Sequence, residues 1–67
     1  MARFSGATLA AAQALIGQYG EDAEIIATLR AAEYAAEGDS RALADWDDII
    51  ACVAALQDGE PGAATLN

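Results

Sequence analysis

Three features of the sequence predict an all-α chain. Apolar residues recur every three to four positions, no stretch alternates with period two, and Gly20, Gly38 and Gly59 each stand where a helical pattern stops. The expected architecture is a small three-helix bundle with helices over about 7–19, 22–37 and 40–57, joined by short glycine-containing turns. Connections this short favour neighbouring helices packed as antiparallel hairpins. The domain is expected to span 1–58, and 59–67, with its Gly-Glu-Pro-Gly start, reads as a flexible tail.

The first helix follows Ser5 or Thr8, either of which can accept a hydrogen bond from a free amide of the first turn. Projected at about 100° per residue, its stripe gathers Leu9, Ala12, Leu15, Ile16 and Tyr19. Glu21, Asp22 and Glu24 place negative charge at the positive end of the second helix. Its large aliphatic residues define a stripe of Ile25, Leu29, Ala32 and Ala36, with Ile26 at the edge and Tyr34 on the opposite side among Ala23, Ala27 and Ala31. The third helix starts after Asp39 or Ser40 and lines up Leu43, Trp46, Ile49, Ile50, Val53 and Leu56. The expected core is therefore Leu9, Ile16, Tyr19, Ile25, Leu29, Leu43, Trp46, Ile50, Val53 and Leu56.

Composition closes off most chemistry. There is no histidine and no lysine, and three arginines stand against eleven carboxylates for a formal charge of −8. Without imidazole there is no Ser-His or Cys-His pair and no histidine metal ligand. Without lysine there is no Walker-type phosphate loop and no Schiff base. The lone Cys52 excludes an intramolecular disulfide framework and fits a reducing compartment. Its neighbour one turn back is Asp48, which disfavours a thiolate, so it reads as a small filler in the helix flank. Asp45, Asp47 and Asp48 do not have the spacing of a calcium loop and read as a solvated face. No catalytic, cofactor-binding or metal site is expected, and the chain is read as a non-enzyme.

Two local patterns have the outline of known signals. Arg3, the uncharged stretch after it and Ala12-Gln13-Ala14 have the outline of a secretory signal. The apolar periodicity runs on through Leu15, Ile16 and Tyr19, however, so the segment reads as a helix and the expected location is cytoplasmic. Gly38-Asp39-Ser40 is similar to the Asp-Ser-Leu of acyl carrier proteins, whose serine bears phosphopantetheine. Here Arg41 replaces the leucine and the long preceding loop is missing, so a helix cap explains the residues.

The surface carries the functional expectation. From Phe4 to Gly20 the chain has no charged residue, and the back of the first helix presents Ala10, Ala11, Ala14, Gly17 and Gln18. Small residues there would let another helix approach closely. With Tyr34 read as the rim of a contact beside Ala23, Ala27 and Ala31, the candidate self-association residues are Ala10, Ala14, Gly17, Gln18 and Tyr34. Glu33, next to the second stripe, is expected to pair with Arg30.

The leading reading is a small acidic helical interaction domain that forms a homodimer through its first helix. The alternative is an acidic regulator or inhibitor of a basic protein partner, including a nucleic-acid mimic acting through Glu24, Glu37, Asp45 and Asp48. Direct binding to nucleic acid or to an anionic membrane is disfavoured by the charge. No apolar run reaches the roughly 18 residues of a membrane span.

The order Tyr19-Gly20, Asp22-Ala23, an alanine-rich helix, Gly38-Asp39, then Trp46-x-x-Ile49 and Val53-x-x-Leu56 resembles a group of short alphaproteobacterial proteins of unknown function. They share a YG-x-D-A start, a G-D turn and a W-x-x-I-x-x-x-V/I-x-x-L helix. The resemblance spans about 9–56 and implies a bacterial helical domain without an assigned activity.

Overall fold

The computed structural model describes residues 4–58. All of its regular structure is helical: α1 (Gly6–Tyr19), a 3-10 turn (Gly20–Asp22), α2 (Ala23–Glu37) and α3 (Ser40–Gln57). The expected tail over 59–67, with the stop at Gly59, lies outside the described residues.

The expectation of three helices parted by two turns is corrected at the first junction. Gly20 departs from helical geometry (φ 59°, ψ −126°), yet its N–H still donates to the Ile16 carbonyl and a 3-10 turn leads directly into α2. Residues 6–37 are thus one continuous helical run with a break at Gly20, and 40–57 form the second run. Only Gly38 and Asp39 separate the two runs.

The ends of these elements follow from their side chains. Ser5 caps α1, its hydroxyl accepting from the Thr8 amide at 3.1 Å. Asp39 caps α3 in the same way, Oδ1 accepting from the Ala42 amide at 3.1 Å. Gly38 ends α2 in the left-handed region (φ 77°), and the following Asp39 amide closes back onto the Tyr34 carbonyl at 3.0 Å.

The two-residue connection folds α3 back along α2 as an antiparallel hairpin. Near the turn, the rings of Tyr34 and Trp46 stack with centroids 6.4 Å apart. At the far end, Gln57 Nε2 donates to the Gly20 carbonyl at 2.7 Å. The sequence separation of contacting residues grows away from the turn, as an antiparallel pair requires. The α2–α3 contact is the most extensive in the fold, and α1 packs more on α3 than on α2.

The core is made of small residues. Ala12 of α1, Ala23 and Ala27 of α2, and Ile49, Cys52 and Val53 of α3 form one buried cluster. Ala31 is buried as well, one turn beyond Ala27. Leu15, Ile16, Tyr19, Trp46 and Ile50 pack half-buried around that cluster, together with Phe4 and Ala11. Leu43 is half-buried too.

This arrangement turns α2 around. Ala23, Ala27 and Ala31, with the half-buried Tyr34, face inward, while Ile25 and Leu29 are 58% and 57% exposed. The reason lies in α3, which brings Trp46, Ile49, Ile50 and Val53 to the contact. A row of alanines at i, i+4, i+8 offers holes for those knobs at a short interaxial distance, where Ile25 and Leu29 would hold the helices apart. Two further expected core residues are also outside it: Leu9 (38% exposed) lies in the second turn of α1 and Leu56 (37%) in the last turn of α3. Both sit near helix ends.

Candidate interaction surface

α1 carries the charge-free face expected from the sequence. Ala10, Ala14, Gly17 and Gln18 are all exposed. A Cβ added at Gly17 would meet nothing within 4 Å, so that face is open. It is also shallow in chemistry, because each alanine or glycine offers little hydrocarbon to a partner.

Tyr34 stands apart from the other four candidates. Its ring is half-buried and stacked on Trp46 with an interplanar angle of 22°, within the α2–α3 hairpin. Tyr34 and the alanine row beside it are therefore taken up inside the fold.

The larger apolar surface is on α2. Ile25, Leu29, Ala32 and Ala36 are all exposed and follow one another at spacings of four, three and four residues. That interval keeps them on one side of the helix and is the spacing of a helix-pairing seam. Glu21, Glu24, Ile25, Thr28 and Leu29 line an open depression at its N-terminal end. Within the same element, Thr28 donates its hydroxyl to the Glu24 carbonyl at 2.8 Å, and Arg30 and Glu33 approach to 3.6 Å. Thr28, Arg30 and Glu33 are thus engaged within their own helix, while the exposed Glu21 and Glu24 flank Ile25 and Leu29 at the N-terminal end.

This surface was hidden in the sequence by residue size. Ile25 and Leu29 outrank alanine on any hydrophobicity scale and so define the stronger stripe. The available counter-signal was Tyr34, the only aromatic residue of α2, which falls in phase with Ala23, Ala27 and Ala31 and out of phase with Ile25 and Leu29.

The remaining chemistry is sparse. Cys52 is 1% exposed and packed among Ala23, Ala27 and Val53, a core position rather than a flank. Asp45, Asp47 and Asp48 are exposed, and among the described residues no three metal-ligating side chains gather into a site. Among the same residues, no helix is long and apolar enough to cross a membrane.

In comparisons with known proteins, no family model, no curated protein and no solved structure matches the chain.

Proposed function

We propose that this chain is a non-enzymatic helical interaction module that associates with a second copy of itself, with α2 as the contact. The observation that carries this reading is the exposure of Ile25 and Leu29 on the same helix whose alanines are buried. Covering the remaining apolar area of two such side chains on each copy gains about 25 cal/mol per Å². The α1 face of Ala10, Ala14 and Gly17 allows close approach but supplies less of that area.

The size of the core supports the same reading. Among the described residues, four of the seven buried ones are alanine, and Val53 and Cys52 are the largest that are fully buried. Small domains with so little buried area gain stability from oligomerisation. A two-fold dimer is the commonest way to obtain it.

The competing reading, an acidic inhibitor of a basic protein, draws on the carboxylates that rim the α2 face at Glu21 and Glu24. The two readings differ in the sign of their salt dependence. Pairing of two chains of charge −8 is opposed by repulsion and strengthens as salt screens it, whereas binding to a basic partner weakens.

Light scattering on the purified chain tests the reading directly. The wild type is expected to rise from its 6.8 kDa monomer mass toward twice that value with concentration. Leu29→Glu is expected to remain monomeric, because pairing would bury an unpartnered charge. Ala14→Glu should associate like the wild type; loss of association in that variant alone would move the contact to α1. A monomer throughout the concentration range overturns self-association.

A further inference from the structure

We infer that α1 is a hinged lid on the α2–α3 hairpin, swinging out about Gly20, with the Gln57 side chain as the latch that holds it down. The device does not depend on self-association.

The hinge is one residue. Gly20 (φ 59°, ψ −126°) carries the change of direction between α1 and α2, in a backbone region that glycine enters without steric cost. The hydrogen bonds of a longer helix already surround it. Its N–H donates to the Ile16 carbonyl, and its carbonyl accepts from the Ala23 amide in the 3-10 turn. Turning Gly20 to helical angles hands that carbonyl to the Glu24 amide, one residue further on, and makes 6–37 a single straight helix. A short 3-10 stretch within a helical run is a recurrent mark of such a hinge.

The latch acts on the hinge from the far helix. Gln57, in the last turn of α3, donates through Nε2 to the same Gly20 carbonyl at 2.7 Å. With Ala23 and Gln57 both bonded to it, both lone pairs of that oxygen are used in the bent form. Straightening turns the carbonyl along the helix axis and away from Gln57, so the bond belongs to the closed form alone.

Packing lets α1 leave without taking the hairpin apart. Ala12 is the one buried residue of α1, whereas α2 and α3 bury three each. α1 rests mainly on α3, and the α2–α3 contact is the most extensive in the fold, with the Tyr34–Trp46 stack at its turn. α1 closes one side of the buried cluster through Ala12. When it lifts, that cluster opens to solvent, and with it the Cys52 thiol, which is buried in the closed form. Such an opening draws on only part of the total stability.

The experiment is alkylation of Cys52 by iodoacetamide across a urea series, beside global unfolding followed by circular dichroism. The wild-type thiol is expected to react faster than global unfolding permits. Its rate should also depend less steeply on urea, because lifting α1 exposes less surface than unfolding. Gly20→Ala should raise the rate about 5- to 30-fold, the penalty of that backbone region for a side chain, with the helical signal retained. Gln57→Ala should raise it about two- to fivefold. Gly38→Ala is the control: its turn is present in both forms, so it lowers global stability and leaves labelling in water unchanged. Ala12→Cys combined with Cys52→Ala puts the thiol on α1 itself and should report the same opening.

Labelling that follows global unfolding at every urea concentration overturns the lid. A rise with Gly38→Ala as large as that with Gly20→Ala does the same. If Gly20→Ala does not fold, the wild-type urea dependence and Gln57→Ala decide. A Gln57→Ala rate equal to that of the wild type overturns the latch and leaves the hinge standing.

Discussion

Tyr34 and Trp46 stack across the α2–α3 hairpin with ring centroids 6.4 Å apart and planes 22° from parallel. The pair sits beside the Gly38–Asp39 connection and fixes how α3 begins its return along α2. An offset stack of this kind contributes about 0.5–1.5 kcal/mol beyond the area it covers. Tyr34→Leu, which keeps an apolar side chain, is expected to cost about that amount in urea unfolding. The emission of Trp46 should shift in the folded state, since the stacked ring is its neighbour. An unchanged midpoint and spectrum would show that the pair is incidental.

The inward alanine row of α2 is open to a direct test. Ala27 is fully buried, so Ala27→Leu is expected to cost about 1–3 kcal/mol through overpacking. Ala35 is exposed on the same helix, and Ala35→Leu should stay within about 0.5 kcal/mol of wild type. If the Leu at 27 were harmless and that at 35 costly, α2 would be facing the other way.

Gly38 sits at φ 77°, where a Cβ is strained although nothing within 4 Å would touch it. The cost of Gly38→Ala is therefore one of backbone conformation alone, about 1–2 kcal/mol. Gly38→Asn should recover part of that loss, because asparagine visits the left-handed region more readily. Equal losses in thermal unfolding for both substitutions would mean that the turn depends on something other than φ.

Asp39 caps α3 through its bond to the Ala42 amide. Removing the acceptor in Asp39→Ala is expected to cost about 0.5–2 kcal/mol, and Asp39→Ser should restore most of it. The readout is helical circular dichroism against temperature.

Gly17 separates the two helix faces as contact candidates. It lies inside α1, exposed, with open space around it. Gly17→Ala is expected to stabilise the chain by about 0.5–1 kcal/mol by removing the glycine penalty in a helix interior. Association measured by light scattering should be unchanged, whereas a close helix contact at Gly17 would be pushed apart by the added methyl.

What could be read from the sequence was whatever depends on a few adjacent residues. A cap at Ser5 or Thr8 and another at Asp39 or Ser40, interruptions at Gly20 and Gly38, the Arg30–Glu33 pair and the helical class all follow from local chemistry, and the structure carries them with Ser5 and Asp39 as the caps. The charge-free surface of α1 was legible for the same reason, because no Asp, Glu, Lys, Arg or His stands between Phe4 and Gly20.

Tertiary structure decided which face of α2 is the inside. Its sequence carries two apolar stripes about half a turn apart, Ala23–Ala27–Ala31 and Ile25–Leu29–Ala32–Ala36, and periodicity alone ranks the second higher. The choice depends on α3, which fills the contact with Trp46, Ile49, Ile50 and Val53, and on a two-residue connection that brings the helices close. Bulk from one helix and room from the other is the arrangement that packs without voids. It consigns Ile25 and Leu29 to the surface.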